Sequence, residues 1–499
     1  MPPEPGDRSA GTKEGPRFGF DPVAHLGAFL ESPPPLTLLI IGESGSGKTL
    51  LSRSLAARHP GPRLFVAYRL PASATEPTAP RARELSLLIV DPAEGPAADA
   101  PPPNPGDLPA PLSAALDRLS TQGGGIVVVD LWDPETEKEL KVLATDSARV
   151  HEVSGPFDLL RGRFGRYPVR TIVALSRAPD PELLSGADGI VELGWEDVEG
   201  ARLRVLTLSK LRRLPPPETR YLYTVDRGKF TCPPQLATGF RPPIAGPEPD
   251  PAPEPGSLFP GSRAYAEAFG RLRYRGLTAI EVPPRFHSAV ADAILFPMVA
   301  QALALGGRVV WIPSATTGPL AITTTLSRFL PPDFFRERLR VLHPGGAEAA
   351  LGELRSVVIP IRTEFAAVRE GRPTESPASH PLFPEAQRFL KETPAGRPAL
   401  YVVYLDGLRA LAAVGGITVT PETFAMIVGG YARLPTFHGI GFGRTDDPVY
   451  KPLAAVVDNL LHVESRYGRT VLYGIRPRTP PYILDWPGEG ERYSLLPVR

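Results

Sequence analysis

The chain is patterned as short, unbroken apolar runs separated by helical stretches and proline-rich breaks. Leu36–Ile41 (LTLLII) is apolar at nearly every position, the pattern of a parallel strand buried on both faces. Leu50–Arg58 follows with Leu51 and Leu55 one helical turn apart, which predicts a helix with one face on a sheet. Leu64–Tyr68, Leu85–Val90, Ile126–Val129 and Thr171–Leu175 continue the strand series. Between residues 188 and 230 strand signals alternate with turns, at Gly189–Leu193, Arg202–Leu208 and Tyr221–Val225. These three read as an antiparallel extension that closes the sheet.

The rhythm then starts again. Leu277–Val282 predicts a strand, Ala289–Leu305 a helix, and Arg308–Ile312, Arg338–Leu342 and Leu400–Tyr404 further strands. Near the end, DNLLHVESRYGRTVLYGI echoes the earlier DGIVELGWEDVEGARLRVLTL, so the pattern implies an internal duplication. Ala289–Leu305 carries Asp292, Pro297 and Gln301, which fits a buried helix; a membrane span needs about 20 mostly apolar residues.

Proline, with 63 residues, marks the boundaries. Pro92–Pro111 reads as a surface loop, and Glu370–Pro384 as an interruption of the second half. Pro233–Pro255 reads as an extended, semi-rigid linker. The expected organisation is an arm at 1–19, a domain at 20–232, a linker at 233–256 and a domain at 257–499. The arm has no apolar core of the kind a signal peptide needs and reads as disordered, while a single cysteine fits a reducing cytosol, the expected location.

Composition adds exclusions. A chain of 499 residues with 42% hydrophobic and 22% charged residues is an ordinary globular protein of several domains. Lys and Arg total 55 against 54 Asp and Glu, so no global field favours nucleic acid or anionic lipid. The single cysteine, Cys232, excludes an internal disulfide and a cysteine-based zinc cluster.

Candidate chemistry sits between the first predicted strand and its helix. Gly42, Glu43, Ser44, Gly45, Ser46, Gly47, Lys48 and Thr49 spell GESGSGKT, and Leu50 continues into the helix. Glycines there let backbone N–H groups turn inward around a phosphate, and the helix N-terminus adds partial positive charge. Lys48 can reach the outer phosphates, and the Thr49 hydroxyl can meet Mg2+. The expected ligand is ATP with Mg2+. Asp130, ending the Ile126–Val129 run, is the expected second magnesium group, with Asp133 a weaker candidate. Ser176 and Arg177, ending Thr171–Leu175, are candidate γ-phosphate sensors.

These features resemble the RecA-like superfamily and its KaiC-like branch. GESGSGKT, IVVVD and DGIVEL…RVLTLSKLRR carry the resemblance. It implies tandem α/β RecA-like P-loop NTPase domains, with mostly parallel central sheets flanked by helices. In KaiC-like proteins a K-L-R motif reaches a neighbouring subunit's nucleotide, and Lys210, Leu211 and Arg212 match it. The order of FLESPPPLTLLIIGESGSGKTLLSRSLA, LFVAYRLP, VVDLWD, LSKLRR…RYLYTVDRGKF and YRGLTAIEV is similar to the archaeal gas-vesicle regulator family, the GvpD-like proteins. That resemblance covers residues 20–499. It implies nucleotide binding coupled to negative regulation through a protein partner.

One departure bears on turnover. RecA-like and KaiC-like ATPases end the next strand on a glutamate that positions water, whereas FVAYRLP places Arg69 there. Loss of that group should slow hydrolysis by roughly 10²–10⁴-fold. The second half departs further: Val282–Ser288 (VPPRFHS) has no glycine or lysine, and its prolines remove N–H donors. A degenerate second loop that binds no nucleotide in this way is expected, with Asp406 keeping an acid where Asp130 stands in the first half. His287 reads as incidental.

Arginines cluster at Arg161, Arg163, Arg166 and Arg170, at Arg271, Arg273 and Arg275, and at Arg336, Arg338 and Arg340, with Phe164, Tyr167 and Tyr274 among them. Arginine with aromatics can bind nucleic acid, but near-neutral net charge favours solvated, ion-paired faces. The leading expectation is an ATP-binding regulatory switch with slow or no hydrolysis, acting on a protein partner or its own oligomer. An oligomeric ATPase with Lys210 and Arg212 acting in trans, and a recombinase-like DNA-repair accessory protein, are the alternatives.

Overall fold

The near-continuous burial of the central apolar runs decides the architecture, because a strand apolar on both faces must be covered twice. The computed structural model describes residues 20–68, 86–90, 110–130, 166–176, 181–198, 201–233, 244–283, 288–344, 352, 355–360, 383–414, 419–420, 434–486 and 492–498. Residues 1–19, most of Pro92–Pro111 and most of Glu370–Pro384 lie outside them. The chain divides into two units, Met1–Thr238 with Val498–Arg499, and Gly239–Pro497. Both are α/β, with large mixed sheets of mostly parallel strands flanked by helices.

In unit 1 the strands are β1 (Leu36–Gly42), β2 (Arg63–Tyr68), β3 (Ser86–Val90), β4 (Gly125–Asp130), β5 (Val169–Leu175), β6 (Gly189–Val198), β7 (Ala201–Leu211), β8 (Arg220–Leu222), β9 (Thr224–Asp226) and β10 (Lys229–Thr231). The helices are α1 (Pro22–Leu30), α2 (Lys48–Arg58), α3 (Ala110–Thr121) and α4 (Pro181–Gly186). Asp21 caps α1, its carboxylate accepting from the N–H groups of Val23 and Ala24. The main sheet runs β3-β2-β4-β5-β1-β6-β7-β8. The strand period of two splits each run between layers. Leu36, Leu38, Ile40, Ile126 and Val128 join one core with α1 and α2. Val127 and Val129 join α3 on the opposite face. Leu51 and Leu55 of α2 are fully buried, each contributing about 1.5–3 kcal/mol.

The expected antiparallel extension is corrected in two places. Gly189–Leu193 lies parallel to β1, with Leu38 opposite Gly189 and Gly42 opposite Leu193. A crossover through α4 delivers it, and antiparallel pairing is confined to β6–β7 and β7–β8. The expected strand Tyr221–Val225 is broken at Tyr223. Arg220–Leu222 stays in the main sheet, while Thr224–Asp226 turns away to pair with Lys229–Thr231 across Arg227 and Gly228. Both turn residues have positive φ, the requirement of a tight two-residue hairpin.

Unit 2 contains β11 (Ser257–Leu258), β12 (Leu272–Arg273), β13 (Gly276–Val282), β14 (Arg308–Ile312), β15 (Leu339–His343), β16 (Val358–Pro360), β17 (Ala399–Tyr404), β18 (Phe437–Arg444), β19 (Asn459–Arg466), β20 (Arg469–Arg476), β21 (Tyr482–Asp485) and β22 (Ser494–Pro497). Its helices are α5 (Arg263–Phe269), α6 (Ser288–Ala304), α7 (Pro319–Leu326), α8 (Pro332–Arg336), α9 (Pro384–Lys391), α10 (Leu405–Val414) and α11 (Tyr450–Val456). The large sheet runs β16-β15-β14-β17-β18-β13-β19-β20-β21-β22. Apart from β16 and β22 at its edges, it repeats the first sheet strand for strand, in order and direction.

Finer details repeat too. In unit 1 the Asp188 carboxylate accepts from Thr37 N–H while Asp188 N–H donates to Thr37 C=O. In unit 2 Asp458 makes the same two bonds to Leu277. The hairpins β6–β7 and β19–β20 shift register at matching places, Ile190/Val191 and Leu460/Leu461. These are the features that an internal duplication predicts.

That register corrects the expectation for Asp406. Following the ladders outward from the paired aspartates, the residue opposite Ala174 is Asp130, and the residue opposite Phe442 is Tyr404. Ala174 faces Ile40 and Phe442 faces Ile280, at equivalent points of β1 and β13. Tyr404 therefore stands where Asp130 stands. Asp406 lies two residues on, in the first turn of α10.

Residues 244–256 of the expected linker lie in unit 2. Asp250 forms a two-pronged ion pair with Arg271 (2.5 and 2.9 Å), and Glu248 accepts from Arg263 N–H. α6 is buried as expected, and among the described residues no helix is long and apolar enough to cross a membrane.

Candidate functional site

The loop Glu43–Gly47 joins the buried end of β1 to the first turn of α2. Two glycines are required by what surrounds them. A Cβ on Gly42 would lie 2.5 Å from the Leu193 carbonyl oxygen and 2.6 Å from Ser46 Oγ. Gly47, the N-cap of α2, has φ of 95°, and a Cβ there would lie 2.6 Å from a Val225 methyl.

Lys48 is buried and folds back over the loop, donating to the carbonyls of Gly42 (2.7 Å) and Glu43 (2.9 Å). Burial pulls its pKa down, while the nearby Asp130 carboxylate opposes this. Thr49 Oγ1 donates to Asp130 Oδ2 at 2.6 Å, so the sheet has brought the two expected magnesium groups together. Asp130 is 5% exposed. Burial raises its pKa, against the Thr49 hydrogen bond and the charges of Lys48 and Arg53. Glu43, Ser44 and Gly45 are exposed, Ser46 is buried and Leu50 half-buried. Ser46 Oγ has no hydrogen-bond partner.

Hydrogen-bond register alone could not reveal the support behind this loop. β6 and β7 run past Gly42 as a two-stranded ribbon, on which Trp195 faces Arg204. The Arg204 guanidinium lies 4.0 Å from the Trp195 ring and donates to Gly45 C=O at 2.9 Å. Tyr223 donates to Ser46 C=O at 2.7 Å; burial raises its pKa to about 12. Two loop carbonyls are thus held from behind. An alternating strand with one arginine on its inner face was the available signal, and it is a weak one.

The remaining candidates separate. Ser176 follows β5, opposite the start of the loop, while Arg177, Asp133 and Arg69 lie outside the described residues. Lys210 is not beside this loop. It pairs with Ile190, whose neighbour Leu39 precedes Gly42 by three residues, roughly 10 Å of strand. Its ammonium donates to the carbonyls of Leu184 and Ser185 at the end of α4. Arg212 donates to Ser185 C=O (2.8 Å) and meets Asp188 at 3.4 Å. Both cations serve as C-terminal caps for α4.

Of the arginine clusters, Arg161, Arg163 and Phe164 lie outside the described residues. Arg271 is paired with Asp250, Arg336 with Asp333, and Arg340 stacks over Phe389. These three are engaged within unit 2. In the second unit, Pro284–His287 lie outside the described residues, so Phe286 and His287 have no structural account.

The loop of unit 1 has the donor set for a phosphate chain: a backbone turn with glycines where a Cβ would clash at 42 and 47, a helix N-terminus, and a lysine resting on neutral carbonyls. Thr49 and Asp130 together suit a divalent cation that keeps waters and phosphate oxygens as its other ligands. Among the described residues no cluster of three His, Cys, Asp or Glu side chains could hold a metal by itself. A scan against known protein families finds no match to this chain, and a search of curated proteins finds no significant relative.

Proposed function

We propose that unit 1 binds ATP with magnesium and acts as a nucleotide-dependent switch on a protein contact. The observation that carries this is Thr49 hydrogen-bonded to Asp130 beside a buried Lys48, at the C-terminal edge of a parallel sheet. That edge is where α/β sheets bind ligands. In this reading Lys48 leaves its two carbonyls for the outer phosphates, and the loop N–H groups hold the inner one. Thr49 and Asp130 hold the magnesium ion, which neutralises phosphate charge when bound. Arg204 and Tyr223 keep the Gly45 and Ser46 carbonyls turned away from the anion.

The reading assigns both units to tandem RecA-like domains and keeps the resemblance to KaiC-like and GvpD-like regulators. Slow turnover follows from β2. Ala67 lies opposite Asp130 and Tyr68 ends the strand; Arg69 follows in sequence, and neither is a carboxylate. An oligomeric ATPase with Lys210 and Arg212 in trans is less favoured, because both would have to abandon their α4 partners. DNA binding is less favoured because several clustered arginines are already engaged.

Two measurements test this. Steady-state assays of purified protein should find ATP bound but turned over far more slowly than once per second; several turnovers per second would refute the slow-switch reading. Pull-down from native lysate with ATP should recover a partner or further copies of the chain, and Lys48→Ala should change that recovery. Capture indifferent to both nucleotide and mutation would sink the switch.

The protonation state of Asp130 gives a further expected result. Its raised pKa means the protonated form persists to higher pH than in an ordinary aspartate. The folded apo protein therefore holds that proton more tightly than the unfolded chain, so this group's contribution to apo stability is present at low pH and fades as pH rises through the folded pKa. Magnesium needs the carboxylate, so binding of MgATP should strengthen as pH rises through the same window. Titration calorimetry in two buffers should detect proton release, and Asp130→Asn should abolish it.

A further inference from the structure

Where unit 1 places its phosphate loop, unit 2 has a cleft of about 440 Å³ at the same edge of the same strand order. It is lined from the ends of β13, β14, β17 and β18, the strands equivalent to β1, β2, β4 and β5. Its chemistry is inverted. At the register position of Asp130 stands Tyr404, and at that of Ala174 stands Phe442. The two rings stack on each other, with centroids 4.7 Å apart and planes 10° from parallel, and both are buried, so they line the cleft as an apolar wall. Tyr404 OH is turned away to donate to Asp292 at 2.9 Å.

Two guanidiniums and three carboxylates edge the cleft. Both guanidiniums are neutralised locally. Arg444 grips Asp446 with two bonds (3.0 and 2.8 Å), and Arg409 pairs with the buried Asp447. The remaining carboxylate is Asp406. Ser314 Oγ (2.6 Å) and Ala315 N–H (3.1 Å) both donate to its Oδ2. Those bonds fix the carboxylate at the mouth, and among the described residues Oδ1 receives no hydrogen bond. A pinned carboxylate beside an apolar wall recognises a cation on an alkyl stem: Oδ1 can accept charge-assisted hydrogen bonds, and the wall covers the stem. An anion would meet excess carboxylate, with no lysine or cradle among the described lining residues.

We propose that this cleft binds an organic cation, an alkyl amine or guanidinium, through Asp406, with the alkyl stem against the Tyr404–Phe442 wall. The group could be a free small molecule or an Arg or Lys side chain displayed by a partner protein; the chemistry is shared. The site is independent of the nucleotide reading for unit 1.

Titration calorimetry on the full chain tests it, with agmatine and spermidine as free cations, a blocked Gly-Arg-Gly peptide as the displayed side chain, and inorganic phosphate as the anion. Agmatine or the peptide should bind the wild type. Asp406→Asn should weaken that binding about tenfold or more, the loss of a charge-assisted pair. Lys48→Ala should leave it unchanged. Binding of the peptide alone supports the proposal and assigns the cation to a protein partner. As a measure that needs no variant, saturating agmatine or peptide should raise the thermal midpoint of the wild type, and sodium chloride at the same ionic strength should not. The proposal is overturned if neither cation source binds at millimolar concentration, if binding is equal in Asp406→Asn, or if phosphate competes for the same site.

Discussion

Lys48→Ala is expected to weaken ATP binding by about a hundredfold, leaving the fold intact. The size follows from the contacts the ammonium can make. In the apo protein it donates to two neutral carbonyls, Gly42 and Glu43. With nucleotide bound it would exchange them for charged phosphate oxygens. Hydrogen bonds to charged groups contribute about 1.5–3 kcal/mol each, and about 2.7 kcal/mol corresponds to the hundredfold change. The cost to the apo fold is small, because burial already disfavours the charged lysine. Fluorescent-nucleotide titration gives the affinity, and thermal melting without nucleotide gives the stability. A variant that keeps wild-type affinity would show that the loop does not hold the phosphates.

The elements were legible because most strands are buried on both faces. Ile126–Val129 reads as one apolar run because Ile126 and Val128 meet one helix layer while Val127 and Val129 meet the other. The GESGSGKT loop was legible for a related reason: its glycines answer backbone demands that few other sequences meet. Strand direction was not. Gly189–Leu193 carries the same apolar residues whether parallel or antiparallel, and the short α4 crossover that fixes its direction left little periodic signal. Proximity in sequence also misled at Asp406. Counting along the chain put an acid after an apolar run in both halves, but the ladder of hydrogen bonds sets the real correspondence at Tyr404. Arg204 was invisible for the opposite reason. Its role depends on β6 and β7 projecting past the sheet to reach Gly45, a matter of strand length that composition does not encode.

Asp485→Ala is expected to destabilise unit 2 by about 3–5 kcal/mol, the cost of breaking a buried ion pair from one side. Arg469 opens β20, directly after the Tyr467–Gly468 turn, where both residues have positive φ. Its side chain is only 1% exposed and meets Asp485 on the neighbouring strand at 2.5 Å. Removing the carboxylate takes the Asp485 ion pair from a guanidinium that is too buried for solvent to replace it. Urea unfolding followed by the buried Trp311 and Trp486 should show the midpoint fall. The control separates charge from packing. Arg469→Met removes the charge that needs a partner and keeps a long side chain in the same place, while the half-buried Asp485 retains access to solvent. It should cost far less than Asp485→Ala, since replacing a buried ion-pair member by an apolar residue is often close to neutral. Equal losses from the two substitutions would mean that β20 and β21 are held by packing alone, with the ion pair contributing nothing.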